Sequence, residues 1–322
     1  MTESGFNPDD HRRRLADYTG PDGWVRDVGP DHLSIHRPGG AILLVEFTEM
    51  GALHVRADGH PWASGLAREA GYATLTIAAR GATWFRDDTL HDHFDRLTDD
   101  GFFDAYETVI FTGGGMGAYG AAAHSLAAPG AVLFLVQPYA TLDRAVTPWE
   151  DRFRAARRLP FGRRYGNAAR MAEAAACVFV VTDPTRPLDA MHASLFSGDH
   201  VTRLPVPHAG PDIWRHLIDL DILDRAVAAA AETGLTRAQF ARLWRARRDD
   251  PSWLTRVLRV LDDLDRPWLT AIWAGAMLRH RDDPRARRRL NAALAALEAE
   301  GRDPPGDLLP TPADRLMLLA GE

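Results

Sequence analysis

Residues 108–120 place an apolar run directly before a turn that contains four glycines, and a small, alanine-rich segment follows the turn. A run of Val, Ile and Phe is typical of a buried strand. Glycines grouped in this way mark a backbone that turns sharply or lies close to other elements. The segment therefore predicts a strand that passes through a tight turn into a helix, which is a building unit of parallel sheets.

Similar apolar runs recur along the first part of the chain at helix-sized intervals. They occupy residues 33–36, 41–47, 72–78, 108–111, 131–136, 178–181 and 201–206. Segments with helical spacing of apolar residues lie between them, at residues 61–70, 89–97, 116–126, 151–159, 167–176 and 187–195. Strands that are apolar on both faces and alternate with helices favour right-handed βαβ units. We therefore expect an α/β fold with a doubly wound, mostly parallel sheet of about seven strands.

The pattern becomes entirely helical after residue 212. Helical periods occupy residues 213–233, 237–247, 253–262, 268–280 and 285–300. The sequence Arg-Asp-Asp-Pro at 248–251 recurs at 281–284, an offset of 33 residues, and Asp250 and Asp283 are suited to cap the helices that follow. The offset is close to the period of TPR arrays, but a plain helical tail packed on the core is the preferred interpretation and a TPR-like array is the alternative. We predict a lead-in at 1–30, an α/β domain at 31–230 and a helical C-terminal region at 231–322.

Charge and hydropathy argue against several partners and locations. The formal net charge is −6, from 38 basic and 44 acidic residues, which gives no reason to expect a nucleic-acid partner. The apolar runs are far shorter than the ~20 residues that cross a bilayer, so no membrane partner is expected. The polar, acidic first ten residues are unlike a secretory signal, and a cytoplasmic location is expected.

Cysteine and lysine usage narrows the chemistry further. Cys177 is the single cysteine, so an intramolecular disulfide and a cysteine-based metal cluster are excluded. All basic residues are arginine, so neither a Schiff-base lysine nor a phosphate-binding Walker A lysine can occur. His91 and Asp95 lie one helical turn apart, but such pairs on a surface helix are usually solvated. We therefore expect no metal and no cofactor.

The glycine turn has the layout of a nucleophile elbow, G-x-S-x-G, with Gly115 at the place of the serine. The chain resembles the α/β-hydrolase superfamily over roughly residues 30–230. The stretch Gly115-Met-Gly-Ala-Tyr is similar to elbows that read Ser-Met-Gly-Gly-Tyr, without the serine. Residues 137–157, with Pro-Trp-Glu-Asp-Arg-Phe, resemble a degenerate, nucleophile-less alphaproteobacterial branch of hydrolase-like proteins.

This resemblance implies roles for several residues. Asp183 and His208 would be the orienting acid and the histidine, because they follow the elbow in the order that this fold uses. The amide of Met116, together with the loop that begins at Phe47 and Thr48, would form the oxyanion hole or a ligand-binding site. Because glycine cannot attack a substrate, an active serine hydrolase is not expected.

Three functions remain open from the sequence. The preferred one is a catalytically degenerate protein that binds a small-molecule ligand over the elbow, or a protein partner or second copy through its C-terminal helices. An atypical hydrolase would use Asp183 and His208 to activate a water. A nucleotide-binding protein would use the G-x-G-x-x-G formed by Gly115, Gly117 and Gly120.

One further segment could bear on the ligand. Six arginines lie between residues 152 and 164, in the interval where hydrolases often carry a lid. An arginine-lined lid would favour an acidic ligand, whereas a solvated helix face balanced by Glu150 and Asp151 is the preferred interpretation.

Overall fold

The computed structural model describes residues 8–280 and 282–303, and the chain divides into two compact units between Trp244 and Arg245. The strands of the first unit are β1 (Trp24–Val28), β2 (His32–Arg37), β3 (Ile42–Glu49), β4 (Ala73–Ala79), β5 (Thr108–Gly114), β6 (Val132–Val136), β7 (Cys177–Thr182) and β8 (Val201–Pro205). Its helices are α1 (Pro8–Thr19), α2 (Met50–His54), α3 (Ser64–Glu69), α4 (Asp88–Asp99), α5 (Met116–His124), α6 (Ala168–Met171), α7 (Pro187–Ser194), α8 (Ile213–Asp219), α9 (Leu223–Glu232) and α10 (Arg237–Leu243).

The eight strands form one sheet in the order β1-β2-β4-β3-β5-β6-β7-β8. β2 pairs antiparallel with both β1 and β4, and every pair from β4 to β8 along the sheet is parallel. The parallel strands β3 to β7 consist largely of buried Val, Ile, Leu, Ala and Phe, as expected for strands that are covered on both faces. The predicted α/β fold class, with a mostly parallel sheet and a helical C-terminal region, is confirmed.

The register aligns the carboxyl ends of the central strands. Gly114 at the end of β5 pairs with Val136 at the end of β6, and Val136 pairs with Val181 of β7. Because these strands are parallel, the residues that follow them lie along one edge of the sheet. The elbow after β5 is therefore flanked by the segment that follows β6.

The first 30 residues contain more structure than predicted. From residue 8 onward they form α1 and β1, and Leu15 and Tyr18 of α1 are buried against the sheet. The Tyr18 hydroxyl lies 2.9 Å from Oγ1 of Thr74. β1 was not predicted, because Arg26 and Asp27 in its centre are exposed and an edge strand of this kind has no apolar run in its sequence.

Two other predicted boundaries differ from the structure. The division between the units follows Trp244 rather than residue 230, because Phe240 and Trp244 are buried within the first unit. The segment 151–159 was predicted to be helical, but it contains only a short 3-10 turn at Ala156–Arg158. Its Arg152 side chain instead bonds to the buried carboxylates of Glu150 and Asp189.

The described part of the second unit consists of α11 (Pro251–Asp263), α12 (Pro267–His280) and α13 (Pro284–Ala299). Asp250 accepts hydrogen bonds from the backbone of Ser252 and Trp253, and Asp283 accepts from the first turn of α13. The predicted Asp-Pro helix starts are therefore confirmed. None of the described helices in either unit is long and apolar enough to cross a bilayer.

Candidate functional site

The turn between β5 and α5 places Gly115 in a backbone conformation that other residues rarely adopt. Gly115 has φ 56° and ψ −116° and precedes the first helical residue of α5. Its N–H donates to the carbonyl of Val136 at 2.9 Å, which fixes the turn against β6. A β-carbon on Gly115 would meet a single neighbour, Cε2 of Tyr139, at 3.8 Å. The structure therefore has room for a side chain at residue 115, the predicted nucleophile position, but the sequence supplies none.

Gly117, the second residue of α5, is required by close packing. A β-carbon on Gly117 would lie 2.2 Å from the carbonyl oxygen of Phe47, which is far inside van der Waals contact. Gly120 is equally constrained, since its β-carbon would lie 2.5 Å from the Phe85 ring. Both glycines let α5 lie directly against β3 and its aromatic neighbours. Internal packing therefore accounts for two of the three glycines of the predicted nucleotide motif.

A cavity of about 350 Å³ opens above the elbow. It is lined by the ends of β3 and β5, the first turn of α5, the segment after β6 and the start of α8. The lining includes Phe47, Thr48, Glu49, Gly115, Met116, Gln137, Tyr139, Asp212 and Trp214. A volume in this range matches pockets for small ligands.

Three of the residues singled out from the sequence meet at this cavity. Phe47, Thr48 and Met116 all line it next to Gly115. The Met116 amide lies in the first turn of α5, where backbone N–H groups lack intrahelical acceptors. The Thr48 backbone nitrogen lies 3.7 Å from the position of a β-carbon on Gly117, so it is close to the same turn. Amides at a helix N-terminus form a binding site for anions and polarised carbonyls.

Asp183 and His208 lie after β7 and β8, where the resemblance predicts them. Asp183 is 1% exposed, and its Oδ1 accepts hydrogen bonds from the backbone N–H of Thr185 at 2.9 Å and from its hydroxyl at 2.7 Å. His208 is half-buried, with φ 60°. Within the described chain, no hydrogen bond joins the two side chains, and neither residue lines the cavity over Gly115. Their catalytic or vestigial role stays a prediction.

Sequence reasoning missed the side chains that do approach the elbow. Gln137, with φ 53°, follows β6 directly, and Tyr139 lies two residues later. Trp214 in α8 packs so closely against Gly114 that a β-carbon on Gly114 would lie 2.7 Å from the β-carbon of Trp214. The position of Gln137 after a buried strand was a usable signal, because strand ends line ligand sites in parallel sheets.

A buried ionic network adjoins Gln137 and Tyr139. Arg152 pairs with Glu150 and with Asp189, both at 2.6 Å, and the two carboxylates are at most 1% exposed. The Gln137 amide nitrogen donates to Asp189 at 2.8 Å. Arg186 also pairs with Asp189, at 2.8 Å. The network ties the segment after β6 to α7, and Arg152, from the predicted solvated face, bonds to two buried carboxylates while its own side chain stays 26% exposed.

His192 completes this network as a neutral imidazole. The Ala140 N–H donates to its Nδ1 at 3.2 Å, which leaves the proton on Nε2 to donate to Glu150 at 3.0 Å. Burial lowers the pKa of His192, and the contact with Glu150 offsets only part of this effect. Burial raises the pKa of Glu150, but the hydrogen bonds from Arg152 and His192 together outweigh burial and leave that pKa below its ordinary value.

Burial also changes the pKa of Tyr139. It raises the pKa of this phenol to about 12, with the Asp189 carboxylate acting in the same direction. The phenol is therefore protonated at neutral pH and can donate a hydrogen bond. Its ring packs against Trp84 at 5.3 Å and against Phe153 at 5.0 Å between ring centroids.

In residues 8–280 and 282–303, no three His, Cys, Asp or Glu side chains converge in a way that could hold a metal ion. Cys177 is half-buried, and burial raises the pKa of its thiol. Cys177 does not line the cavity over Gly115.

No protein-family model matches the chain, and no curated protein matches it. Several solved structures are similar at low identity. A glycosylation-associated protein complex from Streptococcus agalactiae is 12% identical over 66% of this chain and 47% of that chain, with a TM-score of 0.42; this chain thus spans about half the length of that one. A homologue of α/β serine hydrolases from Coxiella burnetii is 15% identical over 63% of this chain and 96% of that one, with a TM-score of 0.39. An esterase from Pyrococcus furiosus is 11% identical over 77% of this chain and 96% of that one, with a TM-score of 0.41.

Proposed function

We propose that this chain is a catalytically degenerate α/β-hydrolase-like protein that binds a small carbonyl or carboxylate ligand in the cavity over Gly115. The observation that carries the proposal is the conformation of Gly115, at φ 56° and ψ −116°, below a cavity of about 350 Å³. The backbone turn of a nucleophile elbow is kept while its attacking group is missing. Such a site retains the means to bind an acyl group without the means to form an acyl-enzyme.

The donors at the base of the cavity support a ligand with an acceptor oxygen. α5 has no acidic residue in its first turn, and its N-cap residue has no side chain to accept a hydrogen bond. The positive end of the helix is therefore left for an external acceptor. Tyr139 adds a protonated phenol beside the same space.

The two alternative functions have less support. Among the described residues that line the cavity there is no imidazole to activate a water. Gly117 and Gly120 are required by contacts with Phe47 and Phe85, so a nucleotide is not needed to explain them. A protein partner for the C-terminal helices remains a proposal that rests on their sequence pattern.

Binding can be tested with short-chain carboxylates and carboxamides in a ligand-observed NMR screen. The variant Ala52→Trp should weaken binding, because exposed Ala52 of α2 lines the cavity and a large side chain there reduces its volume. Val55→Trp is the matched control, since Val55 is 79% exposed immediately after α2 and does not line the cavity. Compounds that bind wild type and both variants equally, or no binding by any member of the screen, would contradict the proposal.

A further inference from the structure

The cavity over Gly115 has opposite electrostatic character at its base and at its mouth. The base is the N-terminus of α5, a helix of nine residues with no acidic side chain in its first turn. Two exposed carboxylates, Glu49 and Asp212, line the same cavity. In the described chain neither carboxylate forms an ion pair, although Asp212 accepts a backbone N–H from Arg215 at 2.9 Å. A ligand that fits both ends must carry a negative and a positive group.

A second observation points to a ligand at the base. Tyr139 is only 8% exposed and lines the cavity, yet its hydroxyl makes no hydrogen bond to any described residue. The hydroxyl oxygen is not among the fully enclosed polar atoms of the described residues, so a molecule in the cavity can reach it. The amide oxygen of Gln137 is in the same situation: Gln137 is 8% exposed and lines the cavity, and its amide nitrogen is bonded to Asp189 while the oxygen has no partner among the described residues. Both side chains therefore offer hydrogen bonds to a molecule in the cavity.

The cavity walls suit an organic cation as well. Tyr139 and Trp214 line it from two different elements, and aromatic side chains attract ammonium groups through their ring faces. A purely anionic ligand would meet the carboxylates of Glu49 and Asp212, and a purely cationic ligand would meet the positive end of α5.

We propose that the ligand is a small zwitterion, whose carboxylate lies at the N-terminus of α5 and whose ammonium group lies between Glu49 and Asp212. This inference rests on the proposed function, because it names the chemical class bound at the same cavity. The Tyr139 hydroxyl donates to the carboxylate, and Trp214 contacts the ammonium group.

The test compares glycine betaine with two analogues that each lack one charge. In tert-butylacetate a carbon replaces the quaternary nitrogen, and in choline a hydroxymethyl group replaces the carboxylate. Their methyl protons give equivalent signals, so saturation-transfer NMR titrations of the full-length chain compare them directly. We expect betaine to bind about tenfold more tightly than either analogue. Equal affinities for betaine and tert-butylacetate would overturn the zwitterion while leaving the proposed binding of carboxylates in place.

Variants assign the two charges to the cavity. Glu49→Gln should weaken betaine about threefold and leave tert-butylacetate unchanged or tighter; Glu49 makes no side-chain helix-cap bond, so the change should not disturb folding. Glu107→Gln is the matched control, because Glu107 is an exposed carboxylate at the opposite end of β5. Identical betaine affinity in wild type and both variants, or no betaine binding at millimolar concentration, would also overturn the proposal.

Discussion

Cε2 of Tyr139 lies 3.8 Å from the position that a β-carbon on Gly115 would occupy, which is ordinary van der Waals contact. A serine at residue 115 therefore fits sterically, and its cost comes from the positive φ. We expect Gly115→Ser to fold with a loss of about 1–2 kcal/mol in the free energy of unfolding, measured by urea denaturation.

The same variant tests the predicted roles of Asp183 and His208. Gly115→Ser should remain inactive on p-nitrophenyl esters, because neither Asp183 nor His208 lines the cavity and Asp183 is bonded to Thr185. Turnover by Gly115→Ser that disappears in the double variant with His208→Ala would show instead that the acid and the histidine still reach residue 115.

Gly117→Ala should destabilise the first unit strongly. The new methyl group would lie 2.2 Å from the backbone oxygen of Phe47, and backbone cannot move aside as a flexible side chain can. Overpacking of this kind costs about 1–3 kcal/mol or more. Gly51→Ala is the control, since a β-carbon there meets nothing within 4 Å. Similar midpoints of chemical denaturation for the two variants would contradict the close contact between α5 and β3.

Arg152→Gln should cost about 3 kcal/mol of stability, because it leaves the buried carboxylates of Glu150 and Asp189 without their shared cation. Arg154→Gln removes an exposed arginine from the same segment and should change stability by no more than about 0.5 kcal/mol. Equal effects of the two substitutions would mean that the network contributes nothing beyond surface charge.

Glu46 in the centre of β3 predicts a dependence of stability on pH. Burial raises the pKa of this carboxyl to about 7 from 4.5, even though the Ala63 N–H donates to it at 3.0 Å. The folded chain therefore keeps a proton that the unfolded chain releases near pH 4.5. Between about pH 4.5 and about pH 7 the carboxyl is protonated in the folded chain and ionised in the unfolded chain, so rising pH favours the unfolded chain. The contribution of Glu46 to the free energy of unfolding therefore falls by about 3 kcal/mol over that range.

The variant Glu46→Gln isolates this contribution, because it removes the titration and keeps an acceptor for Ala63. The stability of wild type relative to Glu46→Gln should decrease between pH 5 and pH 8, as measured by urea unfolding at each pH. Glu107→Gln, which removes an exposed carboxylate, should follow wild type throughout. A stability difference between wild type and Glu46→Gln that does not change with pH would refute the raised pKa.

The sequence predicted the sheet well because seven of its strands are apolar runs. The runs at 41–47 and 131–136, for example, correspond to β3 and β6, and their ends differ by at most two residues. β1 was not predicted because its central residues Arg26 and Asp27 face solvent. The segment 151–159 carries apolar residues at helical spacing, but in the structure Arg152 is paired with Glu150 and Asp189, and sequence pattern does not reveal such tertiary pairing.

The candidate site was predictable only in part. The glycine turn, Met116 and the end of β3 were identified because local sequence determines a strand-turn-helix corner. Gln137, Tyr139 and Trp214 were not, because each reaches the cavity from an element that is distant in sequence from residue 115. Local pattern places a residue after a strand but does not indicate which side chains turn towards a neighbouring loop.

The most direct measurement of the central claim is the release of p-nitrophenolate from a series of short-chain p-nitrophenyl esters, by wild type and by His208→Ala at equal concentration. We predict that both proteins match the buffer rate, because Gly115 supplies no nucleophile and no described imidazole lines the cavity above it. Turnover by wild type that His208→Ala abolishes would contradict the account and identify an active hydrolase.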